Sequence, residues 1–596
     1  MRLSTKQLLI VCNPFCAPLA PDGRATSWLW LGLHLVGARA DARIEIDEAA
    51  EGPGAGRSAG ARGHECYRGA ARQPLSRPRC RRLVLVRGDP GSTGGTEEGR
   101  ATAGASRRSG CRSGSAAAPI TISAYGTGAA PHIDGSTVST GGAVQLVNQS
   151  YWTIENLDVV SNSGVDNFGT LTTDGTPRSG IQVRNTVGNS TVSGIIIRNN
   201  TVSDVNGCFH CTGIDAHVNG GIVVDTTALG ANFNGVLVEG NHVENVGRTG
   251  ITVWDASYFT TSMTAIVQSA LSTNVRIRNN TVIEPDSDGI LAFGTDGAVL
   301  EYNVVRGAGQ RTIEGSTMPA SAGLWPTRAM NTLVQFNEVS ETQLHGTDGQ
   351  GFDVDLASIN TRVQYNYSHD NEGGFLLMMG GYSSDVVVRY NLSINDAWSG
   401  EKGIITFSWG VPGPVRIYNN TFVIPEDSPA NVLYCDGDAG ACASTTPGSW
   451  WFTNNIVDNR GTGGYFYPGL GTTASFASNV FAGNHPATEP ADSTKITSDP
   501  GFVSPGTTGD GFAVADAYKL TTGSPAISSG QLQSPNGLRD LFGNAVSTSA
   551  APSRGMHEFA PPASAPDLVD PAADRQLVSV PEPDVRRFIG PPLAGL

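Results

Sequence analysis

Charge is scarce in this 596-residue sequence: only 16 % of residues are Asp, Glu, Lys or Arg, and the formal net charge is −15. A chain that is also 39 % hydrophobic has enough apolar surface for a core, which argues against disorder, and its acidity argues against general nucleic-acid binding. No apolar run reaches the roughly 18 to 20 residues a membrane helix needs, so no integral membrane segment is expected. The 75 glycines follow no three-residue period, which excludes a collagen-like helix. At about 150 residues per domain the length suggests about four domains, or one long repeat array.

The two ends differ from the middle. Residues 38–112 hold 15 of the 35 arginines, no lysine and nine acidic residues, a net +6 against −21 for the rest. Residues 43–117 show neither helical nor strand periodicity, and read as a basic linker or as a mistranslated stretch of a high-GC gene. Before them, Arg24, the apolar run Trp28–Val36 and the small-x-small phrase Ala38-Arg39-Ala40 read residues 1–42 as a signal segment, hence export. Two close cysteine pairs, Cys208 with Cys211 and Cys435 with Cys442, suit local disulfides in an exported protein, and zinc at Cys208-Phe209-His210-Cys211 is the competing reading. Residues 559–596 are a proline- and alanine-rich tail.

Between residues 118 and 485 a short phrase returns. Alternating apolar residues are followed by one or two asparagines and another apolar residue, as in Ile195-Ile196-Ile197-Arg198-Asn199-Asn200-Thr201-Val202 and Val275-Arg276-Ile277-Arg278-Asn279-Asn280-Thr281-Val282. Further copies end in Asn241, Asn303, Asn337, Asn366, Asn391, Asn420 and Asn455, spaced 23 to 41 residues apart. That is the coil length of a parallel β-helix with loops inserted between its strands. A second column runs in step: Ile181-Gln182-Val183-Arg184, Ile222-Val223-Val224-Asp225, Ile251-Thr252-Val253-Trp254, Ile290-Leu291-Ala292-Phe293, Leu324-Trp325-Pro326-Thr327, Phe352-Asp353-Val354-Asp355, Phe375-Leu376-Leu377-Met378 and Ile404-Ile405-Thr406-Phe407. Its first and third positions face the core and its second and fourth face outward. Stacked coils about 4.8 Å apart let equivalent asparagines form a hydrogen-bonded ladder. A propeller or sandwich would need hairpin turns between strand pairs, and these are not spaced that way.

These asparagine-ladder coils resemble the right-handed parallel β-helices of the pectate-lyase-like superfamily, mostly secreted enzymes that cut polysaccharides. The resemblance covers residues 118–485, with 486–558 capping the helix end. It implies an all-β solenoid of roughly ten or more coils and a secreted, monomeric, polysaccharide-active enzyme.

The outward positions of the second column hold Arg184, Asp225, Trp254, Phe293, Trp325, Asp353, Asp355, Met378 and Phe407, with Trp409 just beyond. Aromatic rings on an outward face offer platforms for sugar rings, and Trp254, Phe293, Trp325, Phe407 and Trp409, with Arg328, are the expected substrate-binding set. If loops fold over this face, the same rings form a satellite core instead. Asp353 and Asp355 sit two residues apart on one strand, backbone positions about 6.6 to 7 Å apart, near the roughly 6.5 to 9.5 Å of inverting glycosidases. Two such carboxylates repel, so one is expected to hold a proton as general acid and the other to act as base. A calcium site and a solvated strand are the competing readings of Asp-x-Asp. Flanking loops add Glu341, His345 and Asp348 before the strand and His369, Asp370 and Glu372 after it, and earlier coils add His210, Asp215, His217 and Asp255.

Elimination at a uronate needs a base, usually Lys or Arg, and calcium or arginine to neutralise the carboxylate. The repeat region holds one lysine, Lys402, beside Glu401 as a candidate ion-pair partner. Gly351-Phe352-Asp353 followed by Gly374-Phe375 resembles the pectate lyases of polysaccharide lyase family nine, in which a base lysine follows the later phenylalanine. Leu376 stands there instead, so that chemistry would need Lys402, Arg328 or Arg389. The expectation is therefore a metal-independent glycoside hydrolase with Asp353, Asp355, Asp348, His369 and Lys402 as catalytic candidates. The alternatives are a lyase with calcium on Asp348, Asp353 and Asp355, and a non-catalytic glycan-binding β-helix.

Overall fold

A repeat of three short strands per coil satisfies its backbone only by stacking each coil on the last. The computed structural model does this with three long sheets, and it describes residues 7–12, 44–46, 113–162, 176–209, 216–255, 270–311, 320–345, 348–410, 413–436, 450–467 and 474–559. Sheet A runs from Ile120–Tyr125 to Ala474–Ala477, sheet B from His132–Asp134 to Val480–Gly483, and sheet C from Gly141–Val147 to Tyr465–Phe466. Successive coils pair in parallel, giving the right-handed parallel β-helix that the repeat predicts. Gln7–Cys12 pairs antiparallel with Ile120–Tyr125, and Ile44–Ile46 pairs with Gly141–Val147, so both lie on the open edge of the first coil. The apolar run Trp28–Val36 and the tail after Phe559 lie outside the described residues.

The Asn-Asn phrase is a two-residue turn from sheet A to sheet B. Its first residue adopts the left-handed backbone that asparagine tolerates (Asn199 φ 54°, Asn279 φ 54°), and its second is the buried ladder member. Asn337 shows the pattern: its backbone N–H and Nδ2 donate to Asn366 Oδ1 at 2.9 and 3.1 Å, Nδ2 also donates to the Leu300 carbonyl at 2.9 Å, and its own Oδ1 accepts from Asn303. The ladder passes through Asn479 and ends on the Asp492 carboxylate. Burial pushes Asp492 up, but the surrounding donors hold it below the usual carboxylate range.

In four coils the left-handed position carries an aromatic residue. Tyr302, Phe336, Tyr365 and Tyr390 stack at 5.0, 5.1 and 5.8 Å. The C-terminal segment adds to the last coil through Ile496, then runs back along this flank, where Tyr365 donates to Arg539 O and Tyr418 to Pro535 O. Phe502, Tyr518, Leu520 and Met556 form a second apolar cluster there with Tyr365, Tyr390 and Tyr418. Residues expected only to cap the end thus also strap the side. Cys208 and Cys435 are disulfide-bonded, which removes Cys208 from the zinc reading; Cys211 and Cys442 lie outside the described residues.

Sheet C has one register feature that moves side chains. Gly180, Gly221, Gly250, Gly289 and Gly323 form an inward column whose added Cβ atoms would overlap Val202, Val243, Val282, Val305 and Val339 of sheet B. Gly351 continues it, and Phe375 takes the next place, because Gly374 pairs with Gln350 and Leu376 with Phe352. The phenyl ring fits where the facing column has changed from Val339 to Ser368 and Ser393. Leu376 and Met378 therefore point inward, one residue out of the phase expected from sequence. The next strand follows, with Ile405 opposite Leu376 and Phe407 opposite Met378.

Candidate active site

Sheet C presents Asp353 and Asp355 outward, as the period-two reading requires, and the loop before the strand brings Asp348 to them. Asp353 is buried, and its Oδ1 has no hydrogen-bond partner. Burial, then the charges of Asp355, Asp348 and Asp288, push it far above the carboxylate range. Asp348 is half-buried; burial first, then Asp355, raise its pKa to about 7 against the opposing charge of Lys402. Asp355 is also raised by burial, but four groups oppose the rise: the Leu356 N–H at 2.6 Å, the Thr327 hydroxyl, and the charges of Arg328 and His217. Three neighbouring carboxylates thus differ in how readily they ionise, and Asp355 has the most help.

Residues not singled out from sequence complete the surroundings. Asp288, 1 % exposed, lies 3.5 Å from both Arg248 and His217, and Arg248 Nη2 donates to His217 Nε2 at 2.8 Å. Asp436 follows Cys435 and pairs with Lys402 at 2.7 Å. The signal for Asp288 and Arg248 was their place at the start of a sheet C strand, Asp288 opening Asp288–Phe293 and Arg248 just ahead of Thr249–Trp254, as Asp348 is of Gln350–Val354. Asp436 carried no such cue, because it meets Lys402 from another coil.

The expected sugar platforms are placed differently. Trp254, Phe293 and Trp325 do point outward, but they are buried with Val218, Val223, Leu291 and Ala322 in a satellite cluster. Trp254 stacks on Phe293 at 4.0 Å and on His217 at 5.4 Å, while His217 meets Trp325 edge-on at 5.7 Å. With rings against them, Trp254 and Phe293 build the wall of the site and are not open platforms. Arg328 lies over Phe293 at 5.3 Å, which holds its charge beside Asp355. Phe407 is a correction: the register shift turns it into the core, where it packs on Trp450 at 5.5 Å. Trp409, beyond that strand, is 65 % exposed.

His369 is a second correction. It belongs to Tyr367–His369 of sheet B, bonded to Asp370 at 2.8 Å and facing Glu338 at 3.4 Å, away from the sheet C carboxylates. Asp370 stays with it, and Glu341 pairs with Arg306 on the same flank. Glu372 accepts the Leu344 N–H, His345 is half-buried, and Asp255 accepts from Thr226. Lys402 is buried and pairs with Asp436, so the expected partner Glu401 is not the one observed. Arg389 is buried on sheet A against Gln364 and Tyr418, which excludes it as a base at this site. His210 and Asp215 lie outside the described residues. No helix among the described residues is long and apolar enough to cross a membrane.

Comparison with known proteins places this architecture. Residues 264–457 match the family described as the right handed beta helix region. A lacto-N-biosidase of Bifidobacterium longum subsp. longum is 29 % identical over 422 residues, covering 58 % of this chain and 25 % of that protein. The chain therefore spans about a quarter of the length of the curated relative it matches. Among solved structures, a GH136 lacto-N-biosidase from Eubacterium ramulus is 23 % identical with a TM-score of 0.46, covering 59 % of this chain and 58 % of that one. The pectate lyase Pel9A is 12 % identical with a TM-score of 0.35, covering 71 % and 89 %.

Proposed function

We propose that this chain is a glycoside hydrolase that cleaves a neutral glycan outside the cell, with Asp348 as general acid and Asp355 as the ionised carboxylate on the other side of the bond. The observation that carries it is the contrast between those two groups. Asp348, with its pKa near 7, keeps a proton to give to the leaving oxygen. Asp355, faced by an N–H, a hydroxyl, Arg328 and His217, gives its proton up more easily and stabilises or attacks the developing oxocarbenium carbon. Asp353 between them stays protonated and offers a hydrogen bond. Strand geometry alone left the acid role open between Asp353 and Asp355, and this reading gives it to Asp348.

The charge around the site favours hydrolysis over elimination. With Asp348 and Asp353 protonated, Asp288, Asp355 and Asp436 match Arg248, Arg328 and Lys402 in number, and each cation faces one of them: Arg248 with Asp288, Lys402 with Asp436 and Arg328 with Asp355. A uronate carboxylate would find no uncompensated positive charge to neutralise it, and a lysine held in a 2.7 Å ion pair leaves no free amine as base. The likeness to a lacto-N-biosidase supports the same class and suggests glycans ending in a lacto-N-biosyl unit as first substrates. The reaction as proposed needs no metal.

The test reads reducing ends and the ultraviolet absorbance of unsaturated sugars on each sample, with and without a chelator. Reducing ends without absorbance, unchanged by chelation, are expected. Absorbance rising with reducing ends would overturn hydrolysis. The pH profile follows from the roles. The acid must be protonated, so kcat falls as pH rises through about 7, and the base must be ionised, so it falls again at acid pH as Asp355 is protonated. Asp348→Asn is expected to remove the alkaline fall and leave the acid one.

A further inference from the structure

Tyr382 and Trp409 stand in left-handed backbone, with φ of 62° and 54°. That conformation disfavours bulky side chains, and where it recurs with aromatic residues in this fold the rings recover the cost by packing. Tyr302, Phe336, Tyr365 and Tyr390 do so in their stack. Tyr382 and Trp409 do not: they are 56 % and 65 % exposed, and neither has a ring contact among the described residues. Folding stability gives no reason for either.

Their place in the coil does. Both lie in turns leading from sheet C to sheet A, the same edge that carries Asp355. The Tyr382 turn is tied to the Asp355 turn by Ala357 N–H to Gly381 O at 2.7 Å and by the Ser383 hydroxyl to Asp355 O at 3.1 Å. Trp409 follows Ser408, which pairs with Met379 one coil further on. Along the helix axis the rings are thus one and two coils past Asp355, about 5 and 10 Å at the spacing of stacked strands. A pyranose ring advances a glycan by close to one coil. Gly380 and Gly381 keep the ground between them low.

We propose that Tyr382 and Trp409 are a two-ring platform for the sugar units that follow the cleaved bond, making the enzyme selective for glycans extending at least two units beyond it. The proposal rests on the hydrolase reading above. Flat aromatic faces suit the apolar faces of sugar rings, and two isolated rings are too small a surface for a stable protein partner.

The experiment compares Tyr382→Ala, Trp409→Ala and the double variant on two probes: an aryl lacto-N-bioside, and an oligosaccharide carrying the same terminal unit on at least two further sugars. The ratio of kcat/KM for the oligosaccharide to that for the aryl glycoside is expected to fall roughly threefold to tenfold per ring. Equal effects on both probes, or none, would overturn the platform. If wild type cleaves neither probe, the hydrolase reading is what fails. Glycan binding to Asp355→Asn, followed by calorimetry, then decides the platform separately. Affinity that rises with chain length and is lost in Trp409→Ala upholds it, and affinity independent of length overturns it. Trp409→Gly, which frees the backbone of its strained conformation, is expected to leave the thermal midpoint unchanged or raise it; a fall would assign the ring to stability and count against the proposal.

Discussion

Asp355→Asn is expected to lower kcat by about three orders of magnitude on any substrate, with the fold intact. The carboxylate is half-buried on the strand edge, and the backbone N–H, the hydroxyl and Arg328 around it are arranged for a negative charge there. An amide keeps the shape and removes that charge. Asp348→Asn is expected to cost about as much on a glycan with a poor leaving group and far less on an aryl glycoside, because a departing phenolate needs little protonation. Asp353→Asn separates this assignment from one based on the Asp353 and Asp355 pair. A carboxyl already held neutral by burial and the neighbouring carboxylates of Asp355 and Asp288 loses little when replaced by a neutral amide, so about a tenfold effect is expected. Steady-state kinetics of the three variants on both substrates check the roles. An Asp353→Asn protein as inactive as Asp355→Asn would give the acid role to Asp353.

Asn337→Ala is expected to destabilise the helix by about 3 to 6 kcal/mol. The loss is large because one side chain serves three coils. Removing it takes the acceptor from the Asn303 backbone N–H, one of the two Asn303 Nδ2 bonds, the donor to the Leu300 carbonyl and one bond to Asn366, all buried. Each unsatisfied buried group costs about 1 to 3 kcal/mol, and the coils on either side lose their register together because each contacts only its neighbours. Asn279→Gly is the contrast. Asn279 sits in the same turn phrase, but its left-handed backbone is what matters there, and glycine adopts it freely. Little change, or a slight gain, is expected. Denaturant midpoints of the two variants measure the difference, and equal midpoints would mean that the ladder does not carry the stability assigned to it.

The repeat of apolar alternation and asparagine was enough to identify the β-helix, its coils and the outward side of each strand. Both signals are local: period-two burial selects one side of each strand, and the two residues Asn-Asn encode a turn and a ladder rung. The outward aspartates Asp353 and Asp355 were legible for the same reason. What the sequence left open depends on contacts between coils. Phe375 looks like Phe352 one coil on, yet it fills the place of an inward glycine because Ser368 and Ser393 make room across the core, and that single slip sends Met378 and Phe407 inside. His369 is as close to Asp355 in sequence as many true neighbours, but a coil turns a corner between them and puts it on sheet B. Asp288, Arg248 and Asp436 reach the site from other coils, tens of residues away. A period of two residues decides which way a side chain points, and only the stacking of coils decides what it meets.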